Sequence, residues 1–411
     1  MKTREHIRIL IAGGGTGGHV FPAIAIADAF RELHPDTEFL FIGAQGKLEM
    51  ERVPKAGYRV EGLNIAGFHR PLTLRNAWRN LSFPYKLITS MWKAKRLVRR
   101  FAPHAVVGTG GYVSGPVVRS AQGLNIPTLI QEQNSHAGVT NKLLGEKALA
   151  ICVAYEGMDA YFPKDKIVFT GNPVRQDLMQ IERLREEGLR HFGLDSQKKT
   201  LVVLGGSLGA RTLNQAMMSG AHLLAERSEL QVIWQCGRFY AHACLNSDTA
   251  GLPNVQVHPF IDRMDLLYAV SDVIISRAGA LTISELCLVA RPVILVPSPN
   301  VAEDHQTKNA LALVEKGAAR LVRDADAEAQ LIPEVINILH NDALAFSLSE
   351  SIRQLARPGA AHQIARELEK IAYLQSPPRP EKKKKQDKKR ISKKQLRDEW
   401  PEIILKTRSK P

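Results

Sequence analysis

Residues 271–285 read SDVIISRAGALTISE, and the fold follows from how that stretch is parsed. Val273, Ile274 and Ile275 are consecutive β-branched residues, so 272–276 predicts a short buried strand. Arg277-Ala278-Gly279-Ala280 then turns into an apolar helix opening near Leu281 or Thr282. In open α/β sheets ligands lie beyond the carboxyl ends of the strands, and the first turn of the following helix offers free N–H groups to anionic or hydroxyl-bearing partners. Glu285 lies three residues after Thr282. It either closes a capping box on that helix or turns its carboxylate to a sugar diol.

The same unit recurs on both sides of this stretch. Residues 200–204 predict a strand, followed by GGSLGAR at 205–211 and a helix through Leu213, Ala216 and Met217. At the amino terminus IRILIA at 7–12 runs into GGGTGGH at 13–19 and a helix over about 20–33 carrying Ala23, Ala27 and Phe30. Strands at 104–107 and 126–130 likewise exit into GTGGY at 108–112 and QEQNSHAG at 131–138. Glycines there let backbone approach a phosphate or sugar. Further strands are expected at 231–235, 255–258, 292–296 and 319–321, with helices at 329–339 and 360–374. In TGNPVR at 170–175, Pro173 restricts Asn172, and the charged helix expected over 176–192 reads as solvated, so a domain boundary falls here. The expectation is an α/β protein with two similar domains that face each other across a cleft. They occupy 1–172 and 173–358, a helix follows at 359–375, and 376–411 is a lysine-rich disordered tail.

Gly13, Gly15 and Gly18 satisfy GxGxxG, yet the second strand, 38–42, ends in GAQG without the acid that would hold an adenosine ribose. A dehydrogenase is disfavoured on that ground, and no GxxxxGK[ST] supports a P-loop. No apolar run approaches the roughly 18 residues needed to cross a bilayer, so a cytoplasmic protein is expected. Cys152, Cys236, Cys244 and Cys287 form no short-spaced metal set and read as free buried thiols. The net charge is +15, of which residues 379–411 carry +9, with 14 Lys or Arg against 5 Asp or Glu. Basicity therefore sits mostly in the tail, read as a solvated segment, an anchor to anionic lipid or, last, a nucleic-acid contact. Between 62 and 100, Phe68, Leu72, Leu74, Trp78, Leu81, Phe83 and Trp92 are interleaved with Lys86 and other cations. Part of this is helix core, since Leu87, Met91 and Ala94 recur at helical spacing; the remainder suits an anionic bilayer.

The segments GGGTGGHVFPAIAIA, GTGGYVSGP, EQNSHAGVTNK, GNPVR, GGSLGAR, SRAGALTISE and EDHQTKNA, in that order, closely resemble the bacterial UDP-N-acetylglucosamine:undecaprenyl-pyrophosphoryl-muramoyl-pentapeptide N-acetylglucosaminyltransferase family, which turns lipid I into lipid II in peptidoglycan synthesis. The resemblance runs from about residue 7 to residue 370. It implies a GT-B fold of two Rossmann-like domains with parallel sheets facing across a cleft and the helix at 359–375 returning to the first, an inverting mechanism with no metal or other cofactor required, UDP-N-acetylglucosamine as donor, and peripheral attachment to the cytoplasmic face of the inner membrane. It also implies that Glu285 receives the uridine ribose hydroxyls, that Ala280, Leu281 and Thr282 line the diphosphate, and that Ile261 and Met264 flank the uracil. Arg175 and Ser207 would serve the donor side, and His305 and Gln306 would contact the N-acetylglucosamine. The family's sugar-contacting pair is often two glutamines, and some members have glutamine at the place of Leu208, so the chain departs from the pattern at His305 and Leu208. Thr16, Gly17, Gly18 and Asn134 would lie between donor and acceptor, with His19 and Tyr112 beside the acceptor diphosphate and reacting hydroxyl. The partners implied are an anionic membrane surface and a polyprenyl-pyrophosphate-linked acceptor, with other cell-wall synthesis or division proteins as candidates; no nucleic acid is expected.

The implied reaction needs a group to take the acceptor's proton and dipolar stabilisation for a departing diphosphate. His19, at the mouth of a glycine loop, is the candidate base; its other reading is a binder of the acceptor diphosphate or a helix cap, and Glu132 is the alternative base. No DxD-like pair stands at a suitable turn, and Asp262 and Asp265 are better suited to a helix start than to Mg²⁺. Arg277 pairs with an acid, steadies its loop or contacts phosphate. The other classes weighed are a different GT-B glycosyltransferase, a dehydrogenase and a non-catalytic membrane-binding module.

Overall fold

Aliphatic runs ending in glycine turns build two all-parallel sheets. The computed structural model describes residues 6–65, 83–174, 176–206, 208–301 and 304–373. Strands β1 (Arg8–Gly13), β2 (Glu38–Ala44), β3 (Val60–Leu63), β4 (Ala105–Gly110), β5 (Thr128–Glu132), β6 (Ala150–Val153) and β7 (Ile167–Phe169) form a sheet ordered β3-β2-β1-β4-β5-β6-β7. Strands β8 (Lys199–Leu204), β9 (Leu230–Gln235), β10 (Val255–His258), β11 (Val273–Ser276), β12 (Val293–Leu295) and β13 (Arg320–Leu321) form a second, ordered β10-β9-β8-β11-β12-β13. Two doubly wound parallel α/β sheets are the architecture expected from the sequence.

Each strand order reverses once, between β1 and β4 and between β8 and β11. Crossovers leave such a point in opposite directions, so a crevice opens beyond the strand ends. The glycine turns singled out above, after β1 and β4 in one sheet and after β8 and β11 in the other, lie at these two places.

Seven helices matter for the site and its support: α1 (Gly17–Leu33), α2 (Glu49–Lys55), α3 (Phe83–Phe101), α4 (Gly111–Gln122), α5 (Ala280–Val289), α6 (His305–Val314) and α7 (Ala360–Ala372). Although last in the chain, α7 packs on α1 and buries Ile364, Ala365, Leu368 and Ile371 in the core beneath the first sheet. Burying Ile364 and Leu368 contributes about 2 kcal/mol each. Two side-chain pairs pin the same helices, His34 to Glu369 and His362 to Glu32, both at 2.7 Å. All four cysteines are free and buried.

Three local expectations are corrected. The helix expected over 176–192 is a 3₁₀ segment, Gln176–Leu184, broken at Gln180 and followed by a helix at Arg185–Phe192. Its charged side, with Glu182, Arg183, Glu186, Glu187 and Arg190 exposed, is solvated as expected, but Leu178, Ile181 and Phe192 on the other side are buried in the core of the second sheet. The helix after β11 opens at Ala280 with Gly279 as its N-cap, so Thr282 lies inside the first turn and the Thr282–Glu285 capping box does not form.

Candidate active site

The carboxyl end of β1 is shaped around His19. Gly15 and Gly110 have φ of +91° and +102°, a region L side chains rarely adopt. A β-carbon on Gly110 would stand 2.7 Å from His19 Nδ1, and one on Gly15 would stand 2.9 Å from the Tyr112 ring. From below, buried Glu49 of α2 accepts hydrogen bonds from Ala44 N at 2.8 Å and Gly15 N at 3.1 Å. Sequence reasoning missed Glu49; its one signal was an acid following a glycine turn.

His19 Nδ1 lies 2.9 Å from the carbonyl oxygen of Thr109, and the Thr109 hydroxyl donates back to His19 O at 2.8 Å. A carbonyl only accepts, so in the neutral ring Nδ1 carries the proton and Nε2 keeps the lone pair. Burial pushes the imidazole pKa below its ordinary value, against the opposing pull of the Glu132 charge, the hydrogen bonds to Thr109 and Gln133, and the Glu49 charge. The ring is therefore neutral at neutral pH, the state a base requires. Burial raises the phenol pKa of Tyr112.

Glu132 is fully engaged. Its carboxylate accepts from Asn134 N and Nδ2 at 3.0 and 3.2 Å, and from Gly138 N and Asn141 Nδ2 at 3.1 and 2.9 Å. Four donors on one buried carboxylate fix the 132–141 turn and occupy both of its oxygens, which argues against a base role. Across the cleft, Asn309 of α6 accepts from Ser135 N and Oγ, both at 3.0 Å, and donates to Asn134 Oδ1 at 3.3 Å. Asn309 belongs to the quoted EDHQTKNA segment, but nothing in the sequence marked it as the bridge. Thr16 and Gly18 stand exposed at the mouth of the turn, with Gly17 partly covered.

On the other sheet, Gly279 caps α5 through extended backbone (φ −68°, ψ 140°) with no side-chain cap. Ala280, Leu281 and Thr282 thus present first-turn N–H groups at the positive end of a ten-residue helix. One turn on, Glu285 Oε2 accepts from the buried Tyr268 hydroxyl at 3.0 Å while its residue remains partly exposed. Ile261 is buried in the core, and Met264 opens the helix Met264–Val270 against it. Asp265 pairs with Arg263 at 2.7 Å, which holds its carboxyl below the usual range. Arg277 is bound to Asp324 and to Val296 O at 2.9 Å, so it steadies the loop after β12. Gln306 accepts from Ser298 N at 2.8 Å. His305 Nδ1 is buried with no partner among the described residues, and its ring lies 6.4 Å from that of His136 on the first sheet's side. Leu208 is 77% exposed. Among the described residues no three His, Cys, Asp or Glu side chains are grouped to hold a metal ion.

Arg175 and Ser207 lie outside the described residues, as do Phe68, Leu72, Leu74, Trp78, Leu81 and the tail from 374. Phe83 opens α3, whose two faces divide the labour: Ala94, Leu97 and Val98 are buried, while Tyr85, Ile88 and Trp92 stand outward beside Lys93, Lys95 and Arg96. Lys86 is partly exposed on the same helix. No helix among the described residues is long and apolar enough to cross a membrane.

Residues 9–153 match the N-terminal domain of glycosyltransferase family 28, and residues 200–364 its C-terminal domain. A Bacteroides fragilis protein named UDP-N-acetylglucosamine–N-acetylmuramyl-(pentapeptide) pyrophosphoryl-undecaprenol N-acetylglucosamine transferase is 52% identical over 370 residues, 90% of this chain and 96% of the relative. A protein of the same name from Bacteroides thetaiotaomicron is 52% identical over 374 residues, 90% of this chain and all of the relative. The crystal structure of Acinetobacter baumannii MurG is similar with a TM-score of 0.71 at 29% identity, covering 89% of this chain and 99% of that one.

Proposed function

The chain belongs to glycosyltransferase family 28, and from that premise we propose that it transfers N-acetylglucosamine from UDP-N-acetylglucosamine to the C4 hydroxyl of the muramoyl sugar of undecaprenyl-pyrophosphoryl-MurNAc-pentapeptide, converting lipid I into lipid II. The observation that carries the mechanism is the pairing of a neutral histidine at one sheet's switch point with an uncapped helix start and a carboxylate at the other's.

In this reading the C4 oxygen attacks the anomeric carbon while His19 Nε2 accepts its proton. The bond to the diphosphate oxygen breaks on the opposite face, UDP departs and the configuration inverts. The charge developing on UDP meets the N–H groups of Ala280, Leu281 and Thr282, with Ser207 and its glycine turn assisting. That no divalent ion is required belongs to the same proposal, because helix-end dipoles supply the stabilisation a metal would otherwise give. Glu285 takes the ribose hydroxyls, Ile261 and Met264 flank the uracil, and His305 and Gln306 meet the sugar. The acceptor's pyrophosphate lies along Thr16, Gly17 and Gly18, near Tyr112 and Asn134. Peripheral attachment at the cytoplasmic face of the inner membrane is supported by the outward apolar and basic face of α3.

The test is UDP release from UDP-N-acetylglucosamine by the purified protein in EDTA, with and without a short-chain lipid I analogue. Acceptor-dependent release that survives EDTA is expected. Release indifferent to the analogue removes lipid I as the acceptor, and release that needs a metal overturns the role given to the helix.

A further inference from the structure

A buried chain of hydrogen bonds runs from His19 to the first turn of α5. Thr109 O, which accepts from His19, also accepts from Gln133 Nε2 at 2.6 Å. Gln133 Nε2 donates in turn to Gln131 Oε1, and Gln131 Nε2 to Asn172 Oδ1 at 2.9 Å. Asn172 Nδ2 donates to Ser284 Oγ at 3.0 Å and to Gln133 O at 3.1 Å, and Ser284 Oγ donates to Ala280 O at 3.1 Å. Gln131, Gln133 and Asn172 are each at most 2% exposed. The carbonyls of Thr109 and Ala280 can only accept, so the orientation of every amide between them is fixed, and flipping one would set like groups face to face.

Resting on the reading of His19 as base, we propose that Gln133, Gln131, Asn172 and Ser284 are positioning residues that couple the helix start under the donor diphosphate to the carbonyl orienting the His19 ring. A shift of α5 on donor binding is carried along rigid, fully buried amides to Thr109 O. The tilt of the ring, and with it the direction of the Nε2 lone pair, follows. Residual misplacement of a base by an ångström is enough to slow transfer severely. The charged groups facing the ring are Glu132 from β5 and Glu49 from α2, so a carboxylate introduced at 133 would add a third.

The experiment is steady-state kinetics over pH with Ser284→Ala, Ser284→Thr, Gln133→Glu and His19→Gln. Ser284→Ala is expected to lower kcat ~10-fold or more with the KM for UDP-N-acetylglucosamine within about twofold of wild type. Ser284→Thr, which keeps the hydroxyl, is expected to restore it. Gln133→Glu is expected to move the acid limb of kcat to higher pH, because a nearby carboxylate favours the imidazolium. A raised donor KM at unchanged kcat in Ser284→Ala would make the serine part of the helix alone and overturn the coupling. So would an unchanged kcat together with an unmoved acid limb in Gln133→Glu, provided His19→Gln has lost activity. Full activity in His19→Gln would instead overturn the base reading itself.

Discussion

The imidazole of His19 rests on a carbonyl rather than a carboxylate, and that choice sets its working range. Burial lowers its pKa from the ordinary 6.5, so the neutral, proton-accepting form persists below that pH and is lost as pH falls through the shifted value. The kcat profile of the wild type is expected to show an acid limb centred below pH 6.5. His19→Gln should lose at least ~100-fold in kcat and shed that acid limb; an acid limb centred above 6.5 in the wild type would count against the assignment. Glu285→Ala should raise the donor KM by roughly tenfold and leave the acceptor KM unchanged, as expected for a lost charge-assisted contact to a diol. At this scale the glycine turns, His19, Glu285 and the segment around Asn134 were legible, because turn chemistry is local. Glu49, Gln131, Gln133, Asn172 and Asn309 were not. Glu49 reaches Gly15 34 residues back, Gln131 reaches Asn172 41 residues on and Asn309 reaches Ser135 174 residues back, and a buried amide leaves no periodic trace.

Among elements, the glycine turn after β4 carries more than backbone freedom. Gly110→Ala should both strain the left-handed backbone, by about 1–2 kcal/mol, and press on His19, so that kcat falls together with thermal stability. Gly46 offers the contrast, with φ of +71° and nothing within 4 Å of a β-carbon. Gly46→Ala should lose less stability than Gly110→Ala by thermal unfolding, with kcat retained. In α7, Leu368→Ala is expected to destabilise by about 2–5 kcal/mol in urea unfolding, since it empties a site shared with α1 and the first sheet. Strands rich in β-branched residues could be placed from sequence to within three residues, the largest error being the end of β4, expected at 107 and found at Gly110. The short strands β3, β6 and β7 were not placed, although β10 to β13, no longer than they are, were, so brevity alone does not hide a strand. The helix expected over 176–192 misled because its charges are conspicuous, while the few apolar residues that bury one side of it, Leu178 and Ile181, are not.

In the whole molecule, the two sheets bring their switch points to a shared cleft. Asn309 and the amide chain through Asn172 join its two sides, and Lys316 pairs with Glu156 at 3.1 Å nearby. That exposed pair contributes less than the buried amides do. The outward face of α3 leads to a prediction about location. The double variant Tyr85→Ser with Trp92→Ser should sediment several-fold less with phosphatidylglycerol vesicles than wild type, while turnover of a water-soluble short-chain acceptor stays unchanged. Two facing α/β layers were legible in the repetition of strand, glycine turn and helix. The contacts across the cleft were not, because they depend on how separate turns meet in space. The central claim is direct, base-assisted displacement at the anomeric carbon, and one measurement tests it most directly: the anomeric coupling constant of the new glycosidic bond, read by NMR on product made in EDTA from the α-linked donor and the lipid I analogue. The account predicts a β-linkage to C4 of the muramoyl sugar; an α-linkage would contradict it, since retention cannot arise from a single displacement with His19 as base.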